Sequence, residues 1–79
     1  MATTYAEVGS GISEHRDRRT TYAGVMVGSD GLCVLEVEEQ RDDNRNVREY
    51  AEISLSLDGA RKLRDLLSLA IVRIDAPID

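Results

Sequence analysis

Apolar and polar residues alternate most regularly between Val47 and Leu57. Ala51, Ile53, Leu55 and Leu57 fall on one side, and Arg48, Tyr50, Glu52, Ser54 and Ser56 on the other. A period of two predicts a strand with one face covered. Thr20 to Val27 and Leu32 to Glu39 are rich in Thr, Tyr and Val, which suit a pleated surface. The segment between them, Gly28-Ser29-Asp30-Gly31, is a turn: Gly accepts positive φ, and Ser and Asp bond back to the local backbone. The two strands therefore predict a hairpin with a four-residue loop. Pairing Val27 with Leu32 places Tyr22, Gly24, Met26, Cys33, Leu35 and Val37 on a core face. Thr21, Ala23, Val25, Val27, Leu32, Val34, Glu36 and Glu38 then share the other face, apolar near the turn and acidic at its far end. For the following pair, Glu38 opposite Arg48 aligns the apolar faces and opposes unlike charges, whereas a two-residue slip sets Glu36 against Glu52. The first register is the one expected.

The period changes at Asp58, whose carboxylate suits a helix N-cap. Ala60, Leu63, Leu66, Leu67, Ala70, Ile71 and Ile74 recur at spacings of three and four. They fill an arc of roughly 140° on one helical face. Arg73 complements the negative end of the helix dipole, and Pro77 stops the helix. Residues 1–19 show no clear period beyond Tyr5-Ala6-Glu7-Val8 and read as irregular, or as a short edge strand. The expected architecture is one α+β domain: an antiparallel meander of three to four strands over 20–57, a helix over 58–74 packed on one sheet face, and a tail over 75–79.

Composition narrows the function. The chain has 79 residues, 10 basic and 15 acidic, and a net charge of −5. An acidic chain is a poor non-specific ligand for phosphate backbones or anionic membranes. No apolar run is long enough for a membrane span, and the first residues lack the basic and apolar segments of a signal peptide. A cytoplasmic location is expected. One cysteine cannot form an internal disulfide framework. With no Phe or Trp, the core is aliphatic and small, so assembly into a homo-oligomer, a dimer first, is the expected supplement. Nine of the basic residues are Arg and only Lys62 is Lys, a codon signature of a GC-rich genome.

No constellation converges on catalysis. His15 stands in a charged segment without a pocket. Cys33 falls on the expected core face as a small hydrophobe. The Gly28–Gly31 loop lacks the Lys of a phosphate loop and the acids of a calcium loop. Strand alternation separates Glu36 and Glu38 from Glu39, which argues against a cation site. Tyr22 and Tyr50 are expected on opposite faces, so the tyrosines form no base-stacking platform. No enzyme, cofactor, metal or small-molecule substrate is inferred. Two misfits remain. Leu69 and Val72 lie off the apolar arc of the helix, and Val25, Val27, Leu32 and Val34 make half of the second sheet face apolar. Apolar features outside one core point to an interface. Arg16, Arg18 and Arg19 are the candidate contacts for the alternative, a nucleic-acid-related regulator that binds weakly or competes as an acidic mimic.

The segment Ile53-Ser54-Leu55-Ser56-Leu57-Asp58-Gly59-Ala60-Arg61-Lys62-Leu63-Arg64-Asp65-Leu66-Leu67 resembles a pattern in small uncharacterised proteins of high-GC actinobacteria and their bacteriophages. In these, an alternating strand runs into a capped helix with Leu pairs. Here Gly59 stands where Pro is common, and Arg61 where an acid is common. The resemblance implies a compact cytoplasmic protein of phage or mobile-element origin. Together with the apolar misfits it makes a non-enzymatic protein–protein interaction module, acting on a host partner, the expected function.

Overall fold

A computed structural model describes residues 2–44 and 47–76. It contains five strands and one helix: β1 (Tyr5–Glu7), β2 (Ile12–Arg16), β3 (Arg19–Gly28), β4 (Cys33–Arg41), β5 (Arg48–Leu55) and α1 (Leu57–Asp75). The strands form one antiparallel sheet in the order β1-β3-β4-β5, with β2 also paired to β3. The α+β class is as expected from the sequence, with two short N-terminal strands added to the meander.

Those two strands line the same edge of β3. β1 pairs with its C-terminal end, Tyr5 opposite Gly28, and β2 with its N-terminal end, Ile12 opposite Ala23. Gly9 and Gly11 carry the step between them, both at positive φ. A Cβ at residue 11 would stand 2.9 Å from the Ala23 carbonyl oxygen, so glycine is required there for both reasons. Asp17 and Arg18 close the β2–β3 hairpin with φ of 53° and 62°. Two successive left-handed residues are the backbone of a type I′ turn, whose twist matches that of the flanking strands. Residues 12–19 are thus a regular hairpin rather than an irregular segment.

Both expected registers are corrected. Val27 pairs with Cys33 rather than Leu32, because the Gly28 amide donates to the Leu32 carbonyl and carries the ladder one step further, leaving a loop of three residues in place of four. Asp30 accepts from the Leu32 amide and Gly31 turns at positive φ, which together hold the three-residue loop. A one-residue shift exchanges the faces of one strand relative to the other. Ala23, Val25 and Val27 therefore join Cys33, Leu35 and Val37 on an apolar face, while Tyr22, Gly24 and Met26 join Val34, Glu36 and Glu38 on a polar one. Between β4 and β5 the two-residue slip is the one realised, with Glu38 opposite Tyr50 and Glu36 opposite Glu52. It adds Ala51, Ile53 and Leu55 to the apolar face. The Arg48–Glu38 attraction survives as a diagonal ion pair.

The N-cap lies two residues before the expected one. Ser56, not Asp58, is the N-cap: its hydroxyl oxygen accepts from the Gly59 amide at 3.2 Å. Asp58 occupies the first turn and Arg73 the last. Pro77 and residues 77–79 of the expected tail lie outside the described residues.

The helix also sits differently from the expectation. It meets the sheet chiefly at β5, where Gly59, Ala60 and Leu63 are half-buried, and it contains no buried residue. Over its remaining length it stands away from the sheet instead of covering a face. Val34, 1% exposed, is the one large apolar side chain among the described residues that is buried. The dimensions record the same fact. The radius of gyration is 15.3 Å, against about 11.6 Å for a globular chain of this length. The accessible surface is 6822 Å², against roughly 4,800 Å² for a globular monomer of 8.8 kDa.

Candidate functional site

Two apolar surfaces face outward. The first is the apolar side of the sheet, where Val25, Val37 and Ile53 run across β3, β4 and β5 and Val27 and Ile12 extend the patch. All five are exposed, Ile53 by 50% and Ile12 by 60%. The second is the helix arc, with Leu66, Leu67, Ile71 and Ile74 each more than half exposed. Valine and isoleucine alternate along the strands because one face was built to be covered. The helix carries its stripe for the same reason. Within one chain the two do not cover each other.

The residues expected at the interface divide accordingly. Leu69 and Val72 are exposed, at 55% and 61%, and lie off the helix stripe. Val25 and Val27 are exposed on the apolar sheet face. Leu32 is half-buried in the β3–β4 loop, and Val34 is buried on the opposite face. The four sheet residues therefore do not form one surface, because the true register turns Val34 away from the valines. Leu66, Leu67, Ile71 and Ile74 with Val37 and Ile53, expected in a core, are exposed as well.

The polar face is distinct in chemistry. Tyr5, Tyr22 and Tyr50 all fall on it, a correction to the expected separation of Tyr22 from Tyr50. Glu38 stands between Tyr22 and Tyr50 in one cross-strand row. The Tyr50 hydroxyl lies 2.8 Å from Glu52 Oε2 and 3.1 Å from Glu36 Oε1. It offsets the cost of setting two carboxylates opposite each other, which explains how the slipped register is tolerated. Its hydrogen bond to Glu52, reinforced by desolvation and by the negative charge of Glu36 and Glu52, holds the phenol proton well above the ordinary tyrosine range.

The arginine cluster lies at the far end of the sheet from the β3–β4 loop. Arg16, Arg19 and Arg41 stand in one row across β2, β3 and β4, and Arg18 is in the adjoining turn. Acids interleave them: Arg19 pairs with Glu39 at 3.1 Å and Arg41 with Asp43 at 2.7 Å. His15 Nε2 lies 2.6 Å from Asp42 Oδ2, in an exposed pair that joins β2 to the end of β4. Cys33 is half-buried on the apolar face, between Val27 and Leu55. Among the described residues no group of three His, Cys, Asp or Glu side chains is placed to hold a metal ion. Nor is any helix among them long and apolar enough to cross a membrane. Comparison with protein-family models, with curated proteins and with solved structures found no match.

Proposed function

We propose that the chain is a protein–protein interaction module without catalytic activity, working as a small homo-oligomer. The observation that carries this reading is the extent of ordered apolar surface that the chain does not itself cover. Patches of this size on ordered elements are interaction surfaces. Leu69 and Val72 lie off the helix stripe and supply a separate apolar contact for a second protein. We read that partner as a protein of a high-GC actinobacterial host, the setting that the resemblance of the strand-to-helix segment implies. The test is affinity capture from such a lysate, wild type beside Leu69→Asp/Val72→Asp, with circular dichroism confirming that the variant folds. A protein retained by wild type and lost with the variant is the expected result. Equal retention by both chains removes Leu69 and Val72 from the contact.

A second reading draws on the row Arg16, Arg19 and Arg41 beside Arg18: a nucleic-acid-related regulator. The interleaved Glu39 and Asp43 weaken it, since paired arginines have less charge to offer a phosphate. A salt-sensitive gel shift abolished by Arg16→Ala/Arg18→Ala/Arg19→Ala is the result that would favour it.

A further inference from the structure

The apolar sheet face and the helix stripe are complementary in size as well as in chemistry. From Val25 across Leu35 to Ile53 the sheet face spans two strand spacings, about 10 Å. From Leu66 to Ile74 the stripe rises about 12 Å along the axis. One chain cannot bring the two together as it stands, because α1 meets the sheet chiefly at the end of β5. A second copy can. We propose that two copies form a two-fold dimer in which the helix of each lies across the apolar sheet face of the other. This rests on the reading of the chain as an interaction module and names the partner that the stripe takes.

Area decides between this arrangement and the simpler ones. The chain exposes 6822 Å², roughly 2,000 Å² more than a globular monomer of its mass. If each copy sheds that excess, the interface totals about 4,000 Å², within the range of obligate homodimers. A helix-to-helix contact leaves both sheet faces bare, and a sheet-to-sheet contact leaves both helices bare. Crossing the helices covers both surfaces in one closed, self-complementary interface, which is what a two-fold axis requires.

The crossed arrangement makes a prediction that the others do not. Take Ile71→Glu on the helix and Ile53→Lys on the sheet, both at exposed positions, so that neither disturbs packing within the chain. Each variant alone places two charges in the interface and weakens the dimer by about a hundredfold or more. In a one-to-one mixture, a heterodimer has one unaltered helix-on-sheet contact and one in which the new Glu meets the new Lys. Light scattering during size exclusion and analytical ultracentrifugation read the mass. The expected result is a wild-type dimer, two monomeric variants, and a dimer restored on mixing. If a variant loses its fold when alone, the return of its circular dichroism on mixing reads the same event. A wild-type chain that is folded and monomeric overturns the dimer. A wild-type dimer whose two variants stay apart on mixing overturns the crossing. Neither result touches the Leu69 and Val72 contact, which lies off the stripe and is tested separately by capture.

Discussion

Gly9 and Gly11 are two residues apart, both at positive φ, and only one has a neighbour. Gly9, at φ 70°, has nothing within 4 Å of where a Cβ would stand. Gly11, at φ 74°, has the Ala23 carbonyl oxygen at 2.9 Å. Alanine at either site incurs the left-handed strain of about 1–2 kcal/mol. At either site it also recovers about 0.4–1 kcal/mol by restricting the unfolded chain. The two substitutions therefore differ only in the contact. At residue 11 the new methyl meets backbone rather than the tip of a flexible side chain, and β2 must move away from β3 to admit it. Overpacking of this kind adds about 1–3 kcal/mol. In a domain of this length each kcal/mol lowers the melting temperature by about 4–8 °C. Thermal melts followed by circular dichroism, at one protein concentration, should place Gly9→Ala a few degrees below wild type and Gly11→Ala clearly below Gly9→Ala. If the two variants melt within about 2 °C of each other, the close approach of residue 11 to β3 is not a determinant of the edge, and the reasoning fails.

Two further outcomes are expected. Ser56→Ala removes the acceptor for the Gly59 amide and should cost about 1 kcal/mol in urea denaturation, while Ser56→Asp, which keeps an acceptor, should restore most of it. In a phenolate absorbance titration, Tyr50 should ionise later than an ordinary tyrosine. Because its folded value is raised, its contribution is fully present below the unfolded value of about 10 and is lost as pH rises beyond it. Tyr50→Phe should therefore show a flatter loss of stability above about pH 10 than wild type, by a modest margin because the ring is more than half exposed.

Much of the fold was legible because its signals are local. The alternation of β5, the turn residues of Gly28–Gly31 and the spacing of the helix stripe each depend only on near neighbours in sequence. What escaped reading depends on a choice between close alternatives. The Asp17-Arg18 turn puts an arginine where the type I′ turn favours glycine, so the usual signal for that hairpin is missing. The β3–β4 register turned on one residue of loop length, decided by the Gly28 to Leu32 hydrogen bond. The β4–β5 register turned on whether Glu36 and Glu52 could face each other. Tyr50 answers that with its hydroxyl, a third-party contact that pairwise charge rules do not contain. The candidate surface was half legible for a related reason. An apolar stripe states that it wants cover and not which chain supplies it, so Leu66, Ile71 and Ile53 read as core when they are surface. Leu69 and Val72, off the stripe by their spacing, are exposed as that spacing implies.

The arrangement of strand pairings has a kinetic side. β2 with β3, β3 with β4, and β4 with β5 each join neighbours along the chain, and the β2–β3 connection is only Asp17 and Arg18. Closing such short loops loses little chain entropy, so these hairpins can zip early and in any order. β1 is different. It reaches past β2 to the far end of β3, where Tyr5 meets Gly28 and where Ser29 and Thr4 exchange hydrogen bonds of 2.8 and 3.1 Å. Among the pairings of the described strands, that of β1 with β3 is the one that skips a strand along the chain. It is therefore the last to close during folding and the first to open when the native sheet breathes.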